Sequence, residues 1–191
     1  SMQSGSDDVL RRMRRRWGAK RFIDRCQLVK DSLDQPAITT DVIVGFPGET
    51  DAEFAETVAV CRQAGFSKIH IFPFSARRGT PAAEMPDQLP KHVKQDRSRE
   101  LSAVEAELRD AYYEKLRGMN LQILVESPLE AQPTERAGAS SPPAHFVGTS
   151  CRYAPVELNC TDDQVGQFVT IEAGAAENGR LAAAIQQAVI A

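Results

Sequence analysis

The stretch Asp41-Val-Ile-Val-Gly-Phe-Pro-Gly-Glu-Thr50 decides how the rest of the chain is read. Val42, Ile43 and Val44 are consecutive and β-branched, as in a parallel strand covered on both faces. Gly45 and Gly48 admit positive φ or a close approach of backbone, and Pro47 stiffens the bend between them. Thr50-Asp-Ala-Glu53 has the spacing of a capping box, so a helix starts at once. Ligands of parallel sheets sit beyond the carboxyl ends of the strands, where this loop lies. Taken alone, the decamer fits a ligand loop and a bare βα turn equally well.

Upstream, Ser6-Asp7-Asp8 suits a helix start, with an N-cap and acidic residues at the positive end of the dipole. Val9, Leu10, Met13 and Trp17 follow at helical spacing, with Arg11, Arg12, Arg14, Arg15 and Arg16 between them. Such a run reads either as a solvated face or as a patch that meets phosphates. Gly18 breaks the pattern, and a second amphipathic helix carries Phe22, Ile23, Cys26, Leu28, Val29 and Leu33 before Pro36 ends it. Residues 37–44 are then the strand, and 51–64 its crossover helix, with Phe54, Val58 and Cys61 inward and Gly65 as the C-terminal cap.

Residues 66–74 supply a second strand and complete a βαβ unit. His70, alone in that strand, reads as packed rather than catalytic. Residues 75–81 form a loop on the same rim as 45–49, where Arg77 or Arg78 meets an anion or merely decorates a turn closed by Gly79 and Pro81. After a linker at 86–90, a long helix is expected over 91–116 with Val93, Leu101, Val104, Leu108, Ala111 and Tyr112 inward. Glu105 and Arg109 support it as an i, i+4 pair, and Gly118 stops it.

Beyond Gly118 the pattern turns β-like, which places a domain boundary there. Residues 121–125, 146–156 and 167–172 read as strands of a small barrel, 127–144 as a long hairpin connection, and 182–191 as either helix or edge strand. A length of 191 residues suits one large or two small domains, and 42% hydrophobic with 26% charged residues is an ordinary soluble composition. No stretch has the apolar length of a membrane span, and no signal peptide opens the chain. The net charge of -3 excludes a globally basic nucleic-acid binder but permits a local basic patch. Cys26, Cys61, Cys151 and Cys160 show no CxxC or CxxxCxxC spacing, so they read as reduced thiols of a cytosolic protein rather than metal ligands. Residues 1–6 resemble a strand-to-helix loop with no strand before it, which suggests a piece of something larger.

Four motifs occur together and in order: Gln3-Ser-Gly-Ser-Asp7 with Met13-x-Arg15, Thr39 to Thr50, Lys68-Ile-His-Ile-Phe-Pro-Phe-Ser75, and Arg77-x-Gly-Thr-Pro-Ala82. The set resembles the radical S-adenosylmethionine methylthiotransferases. The phrase Ile-His-Ile-Phe-Pro-Phe-Ser, with Arg97-Ser98 and Ala111-Tyr-Tyr-Glu114, is most similar to the branch that modifies threonylcarbamoyladenosine in tRNA. The resemblance implies an α/β fold: the C-terminal part of a partial (β/α) barrel with a long linking helix over 1–118, then a small OB-like β-barrel, a TRAM domain, over 119–191. It implies a chain that starts after the fourth barrel strand and lacks the cysteine triplet holding the family's catalytic [4Fe-4S] cluster.

By the same resemblance the cofactor is S-adenosyl-L-methionine. Gln3 and Ser4 would face its ribose or methionine part, Arg15 its carboxylate, and Ile43 and Gly45 its adenine, with Phe72 and Phe74 completing the wall. Arg77 would face the substrate, and Arg152 and Tyr153 would hold tRNA near the anticodon. No residue of this chain is implied as catalytic or metal-ligating, so the chain alone is expected to be inactive. The implied setting is cytoplasmic, away from membranes, with the oligomeric state open. Two other readings stand beside it: a ribosomal-protein methylthiotransferase, which shares Gly-Phe-Pro-Gly-Glu-Thr, and a non-enzymatic RNA-binding scaffold that kept half a barrel.

Overall fold

The structure is a computed structural model that describes residues 1–129 and 145–184. It divides into two compact units, Ser1–Tyr112 and Tyr113–Ala191. The first holds α1 (Asp7–Arg12), α2 (Ala19–Ser32), β1 (Thr39–Val44), α3 (Asp51–Ala64), β2 (Lys68–Pro73) and most of α4 (Lys91–Leu116).

Strands β1 and β2 pair in parallel, from Thr39 opposite Lys68 to Val44 opposite Pro73. On the other side of β1 runs the start of the chain. The Gln3 N–H donates to Asp41 O at 2.9 Å, and the Ile43 N–H donates to Gln3 O at 2.9 Å. Gln3 therefore bridges Val42 in the parallel sense, and the opening residues behave as the end of a further strand. One side of this sheet packs on the helices through Val42, Val44 and Ile69, which join Met2, Phe54, Cys61, Phe66, Leu101 and Val104 in one core. Strand period puts Asp41, Ile43, His70 and Phe72 on the opposite side.

That second side corrects two expectations. β1 is not covered on both faces: Thr40, Val42 and Val44 are buried, while Asp41 and Ile43 are only half-buried. His70 is exposed rather than packed, because Ile69 takes the inward position beside it. The capping box forms as expected, with the Glu53 N–H donating to Thr50 Oγ1 at 3.2 Å and the Thr50 N–H donating to Glu53 Oε2 at 2.8 Å.

Other expectations change as well. α1 stops at Arg12, and Arg14 adopts a left-handed φ of 57°, so the five arginines share no helical face. On α2 only Cys26 is buried, and Leu28, Val29 and Leu33 are exposed. Leu28 lies two residues from Cys26 and hence on nearly the opposite side of the helix, while Leu33 is already the C-cap with extended backbone. In α4, Leu101, Val104 and Tyr112 are buried and Ala111 is exposed. The Glu105–Arg109 pair is present at 3.7 Å.

The second unit contains β3 (Asn120–Pro128), β4 (His145–Ser150), β5 (Pro155–Asn159), β6 (Phe168–Glu177) and β7 (Arg180–Ala184). They close into a barrel in the order β3-β4-β5-β7-β6, antiparallel except for the parallel β5–β7 pair. Leu121, Ile123, Val125, Phe146, Val156, Leu158, Val169, Ile171 and Leu181 are its buried apolar residues. At Gly148, β4 approaches its pairing partner β3 closely: a Cβ there would lie 2.4 Å from Leu124 O.

The stretch 146–156 is two strands, not one. It breaks at a turn in which the Ala154 N–H donates to Ser150 Oγ at 3.0 Å and Tyr153 takes a φ of 57°. Residues 182–184 belong to β7, while 185–191 lie outside the described residues. The expected connection at 127–144 begins as the end of β3, and its remainder, 130–144, lies outside them too. A mixed α/β unit plus a closed five-stranded barrel agrees with the fold class read from the sequence.

Candidate functional site

The uncovered side of β1 and β2 becomes a groove where the strands end. It measures about 440 Å³, and its lining includes Gln3, Ile43, Phe72, Phe74, Arg77 and Thr80. A smaller cavity of about 200 Å³ adjoins it, sharing Ile43, Thr80 and Ala82 and adding Arg14, Arg15 and Phe46. The two loops that follow β1 and β2 are tied to each other, the Phe74 N–H donating to Val44 O at 2.8 Å. Gln3, Arg15, Ile43, Phe72, Phe74 and Arg77, widely separated in sequence, thus meet at one place.

Each arrives by a local cause. Parallel pairing with β1 fixes the backbone of Gln3, and its Oε1 accepts from Arg15 Nη2 at 3.0 Å. The Arg15 guanidinium also lies 5.4 Å from the Trp17 ring. Ile43 and Phe72 are register partners on the open face, and Phe72 remains 51% exposed, an apolar surface that a ligand would cover. Phe74 meets Phe46 edge to face, 5.2 Å between centroids.

Ser4 and Gly45 do not line the groove. Ser4 is fully buried, its hydroxyl 3.1 Å from Thr57 Oγ1 and accepting the Ser6 N–H at 3.2 Å. Gly45 has a φ of 73°, and a Cβ on it would lie 2.5 Å from Lys94 Cγ. What its missing side chain makes room for is the stem of Lys94.

Three ion pairs hold the rim, and the sequence pattern pointed to none of them. The Glu49 carboxylate, fully buried, accepts the Gly45 N–H at 2.7 Å and Arg97 Nη1 at 2.7 Å. The same Nη1 donates to Glu49 O at 3.0 Å, and Nη2 reaches Asp51 at 2.7 Å. Burial pushes the Glu49 carboxyl above its ordinary value, against the pull of Gly45 and Arg97. Arg12 grips Glu53 with both amino groups, at 2.8 and 3.0 Å. That hydrogen bonding holds the Glu53 carboxyl down at about 2. Arg12 thereby fastens the turn that carries Arg15 to the start of α3.

Arg152 and Tyr153 lie in the second unit, in the turn between β4 and β5. Tyr153 is 78% exposed, held out by its left-handed backbone. Cys26 and Cys61 are buried in the first unit, where burial pushes the Cys61 thiol up to about 12. Cys151 is exposed and Cys160 half-buried, both in the second unit. Among the described residues no group of His, Cys, Asp and Glu is placed to hold a metal ion, and no helix is long and apolar enough to cross a membrane.

Comparison with known proteins adds sequence likeness to this geometry. Residues 1–61 match the model of the Radical SAM superfamily. The chain is 39% identical over 171 residues to "Threonylcarbamoyladenosine tRNA methylthiotransferase MtaB" of Bacillus subtilis (strain 168), covering 90% of this chain and 36% of that protein. It is 40% identical over 200 residues to "tRNA-2-methylthio-N(6)-dimethylallyladenosine synthase" of Salinispora arenicola (strain CNS-205), covering 94% of this chain and 40% of that protein. With the protein of the latter name from Nocardia farcinica (strain IFM 10152), identity is 47% over 124 residues, or 65% of this chain and 25% of the relative. The chain spans well under half the length of these curated relatives.

Proposed function

Because the chain belongs to the radical SAM methylthiotransferase family, we propose that it is the part of a tRNA-modifying enzyme that shapes the cofactor groove and grips RNA. The reaction would place a methylthio group at C2 of N6-threonylcarbamoyladenosine 37. The observation that carries this reading is the meeting of Gln3, Arg15, Ile43, Phe72, Phe74 and Arg77 around one groove. Its volume of about 440 Å³ is in the range of small-molecule sites, and it lies beyond the strand ends where ligands of parallel sheets bind. Residues 1–118 would act as the barrel portion and 119–191 as the TRAM domain, in the cytoplasm where tRNA is found.

The groove fits an adenosyl group. Ile43, Phe72 and Phe74 offer apolar surface for a purine, and the Gln3–Arg15 pair offers an amide and a cation for the polar end of the cofactor. S-adenosyl-L-methionine, bound to a reduced [4Fe-4S] cluster, supplies the radical chemistry of the family. The described residues do not fit that cluster, since among them no group of His, Cys, Asp and Glu is placed to hold a metal ion. Ser4 would act on the groove only through the backbone it fixes, and Gly45 through the room it leaves for Lys94. Arg77, exposed at the rim, would face the RNA, and Arg152 with Tyr153 would hold its backbone and a base.

Two things support the threonylcarbamoyl branch: the motif Ile69-His-Ile-Phe-Pro-Phe-Ser75 and the name of the Bacillus subtilis relative. The test is to express the intact protein that contains this chain in a host lacking its own methylthiotransferases and analyse tRNA nucleosides by mass spectrometry. Methylthiolated threonylcarbamoyladenosine is expected. Methylthiolated dimethylallyladenosine instead would move the substrate to the other branch, and neither product would overturn the reading. The chain by itself, expressed in the same host, is expected to yield no product.

A further inference from the structure

We propose that Lys94 is a positioning residue for the groove: it locks the Phe74 wall and thereby sets how tightly an adenosyl ligand is held. The proposal rests on the reading of the groove given above. Lys94 sits in the first turn of α4, and its two ends act on the two loops that make the rim. Its Nζ donates to Phe74 O at 3.0 Å and lies 5.3 Å from the centroid of the same ring. Its aliphatic stem fills the space left open by Gly45, 2.5 Å from where a Cβ would be.

One helical turn on, Arg97 fixes the β1 loop through Glu49. Residues three apart share a helix face, so one short stretch of α4 fastens both loops. The duties are unequal. Arg97 and Glu49 are buried, and their pair belongs to the fold. The loop after β2 is exposed over 75–80, and within it Thr80 N–H and Thr80 Oγ1 both donate to Arg77 O. Among the described residues, Lys94 is the side chain that ties the entrance of this loop to α4. A cation that also faces an aromatic ring restrains that ring as well as the backbone, and pre-ordering a binding wall appears as affinity rather than as new contacts.

The experiment uses the 191-residue chain and S-adenosyl-L-homocysteine, a non-reactive probe, by calorimetric titration, with hydrogen exchange measured in parallel. Lys94→Met keeps the stem against Gly45 and removes the ammonium; Lys94→Arg keeps a cation. Loss of one charge-assisted contact predicts an affinity about tenfold weaker for Lys94→Met, largely restored in Lys94→Arg. The Phe74 amide should exchange about tenfold faster, with Tm nearly unchanged. Wild-type affinity and wild-type exchange in Lys94→Met would overturn the proposal. So would a parallel fall in affinity and Tm that Arg does not rescue, which marks a purely structural role. If the unaltered chain binds no probe, the reading of the groove fails, and exchange at Phe74 alone then decides whether Lys94 locks the wall.

Discussion

Glu49 and Glu53 stand four residues apart and are shifted in opposite directions. Glu53, hydrogen-bonded by Arg12, is held down at about 2 from an ordinary 4.5; Glu49 is raised, chiefly by burial. The consequences for stability have opposite signs. The Arg12–Glu53 pair stabilises the fold fully above about pH 4.5, and that contribution disappears as pH falls toward 2. Glu49 works the other way, favouring the folded state below the ordinary value and less so as pH rises through its shifted one. The partial exposure of Arg12 screens the pair, so its acid-labile share is on the order of 1–2 kcal/mol. Urea unfolding at pH 6 and pH 3 should therefore show a smaller acid loss for Glu53→Gln than for the unaltered chain. Equal losses would mean that this pair does not govern the acid limb. The capping box around Glu53 was legible because its partners lie within one turn. The Glu49–Arg97 pair was not, because its partners are 48 residues apart and only the packing of α4 brings them together. Gly45 was read as facing a ligand, whereas its neighbour is Lys94. A glycine in a sequence announces a close approach but not what approaches.

At the scale of elements, hydrophobic period placed β1, α3, β2 and α4 correctly and failed where backbone geometry or an open sheet face decides. Three β-branched residues in a row promised burial on both sides, yet Ile43 stays half-buried, and that open side is what makes a groove. The arginine run continued a helical pattern past Arg12, but Arg14 turns left-handed, which an arginine does nothing to signal. The hairpin of β6 and β7 was marked in the sequence by Asn178-Gly179, with φ of 51° and 74°, and its strand signal was hidden by an alanine-rich flank. Barrel closure is the least legible feature because it depends on pairing between strands far apart in sequence, β3 with β6 and β5 with β7. Gly148 marks one close approach of β4 to its partner β3, and overpacking against fixed backbone typically costs about 1–3 kcal/mol. Since its Cβ would lie 2.4 Å from Leu124 O, Gly148→Ala belongs at the upper end of that range. Guanidinium unfolding monitored at the second unit would read this, and a change below roughly 0.5 kcal/mol, the usual size for a surface substitution, would show that β3 and β4 can separate without penalty.

For the whole molecule, the groove and the cysteines are separate features. A four-iron cluster needs several thiolates within reach of one another and of the incoming iron. Cys61 is fully buried in the core of the first unit, and that burial pushes its thiol up to about 12. Cys26 shares that core, and its thiol is raised as well, again by burial. Cys151 and Cys160 belong to the barrel unit, where burial and the nearby Asp162 and Asp163 raise the Cys160 thiol too. The groove, by contrast, is built from backbone pairing, aromatic packing and the Lys94 and Arg97 contacts, none of which uses a cysteine. Anaerobic reconstitution of this chain with iron and sulfide should accordingly give no stable broad visible absorption, and four-fold Cys→Ser replacement should leave the spectrum unchanged. Titration with S-adenosyl-L-homocysteine should also be indifferent to that replacement so long as the core tolerates it. A stable cluster chromophore that vanishes on replacing Cys26 and Cys61 would show that the core opens to metal, and the separation of groove from iron site would then be wrong.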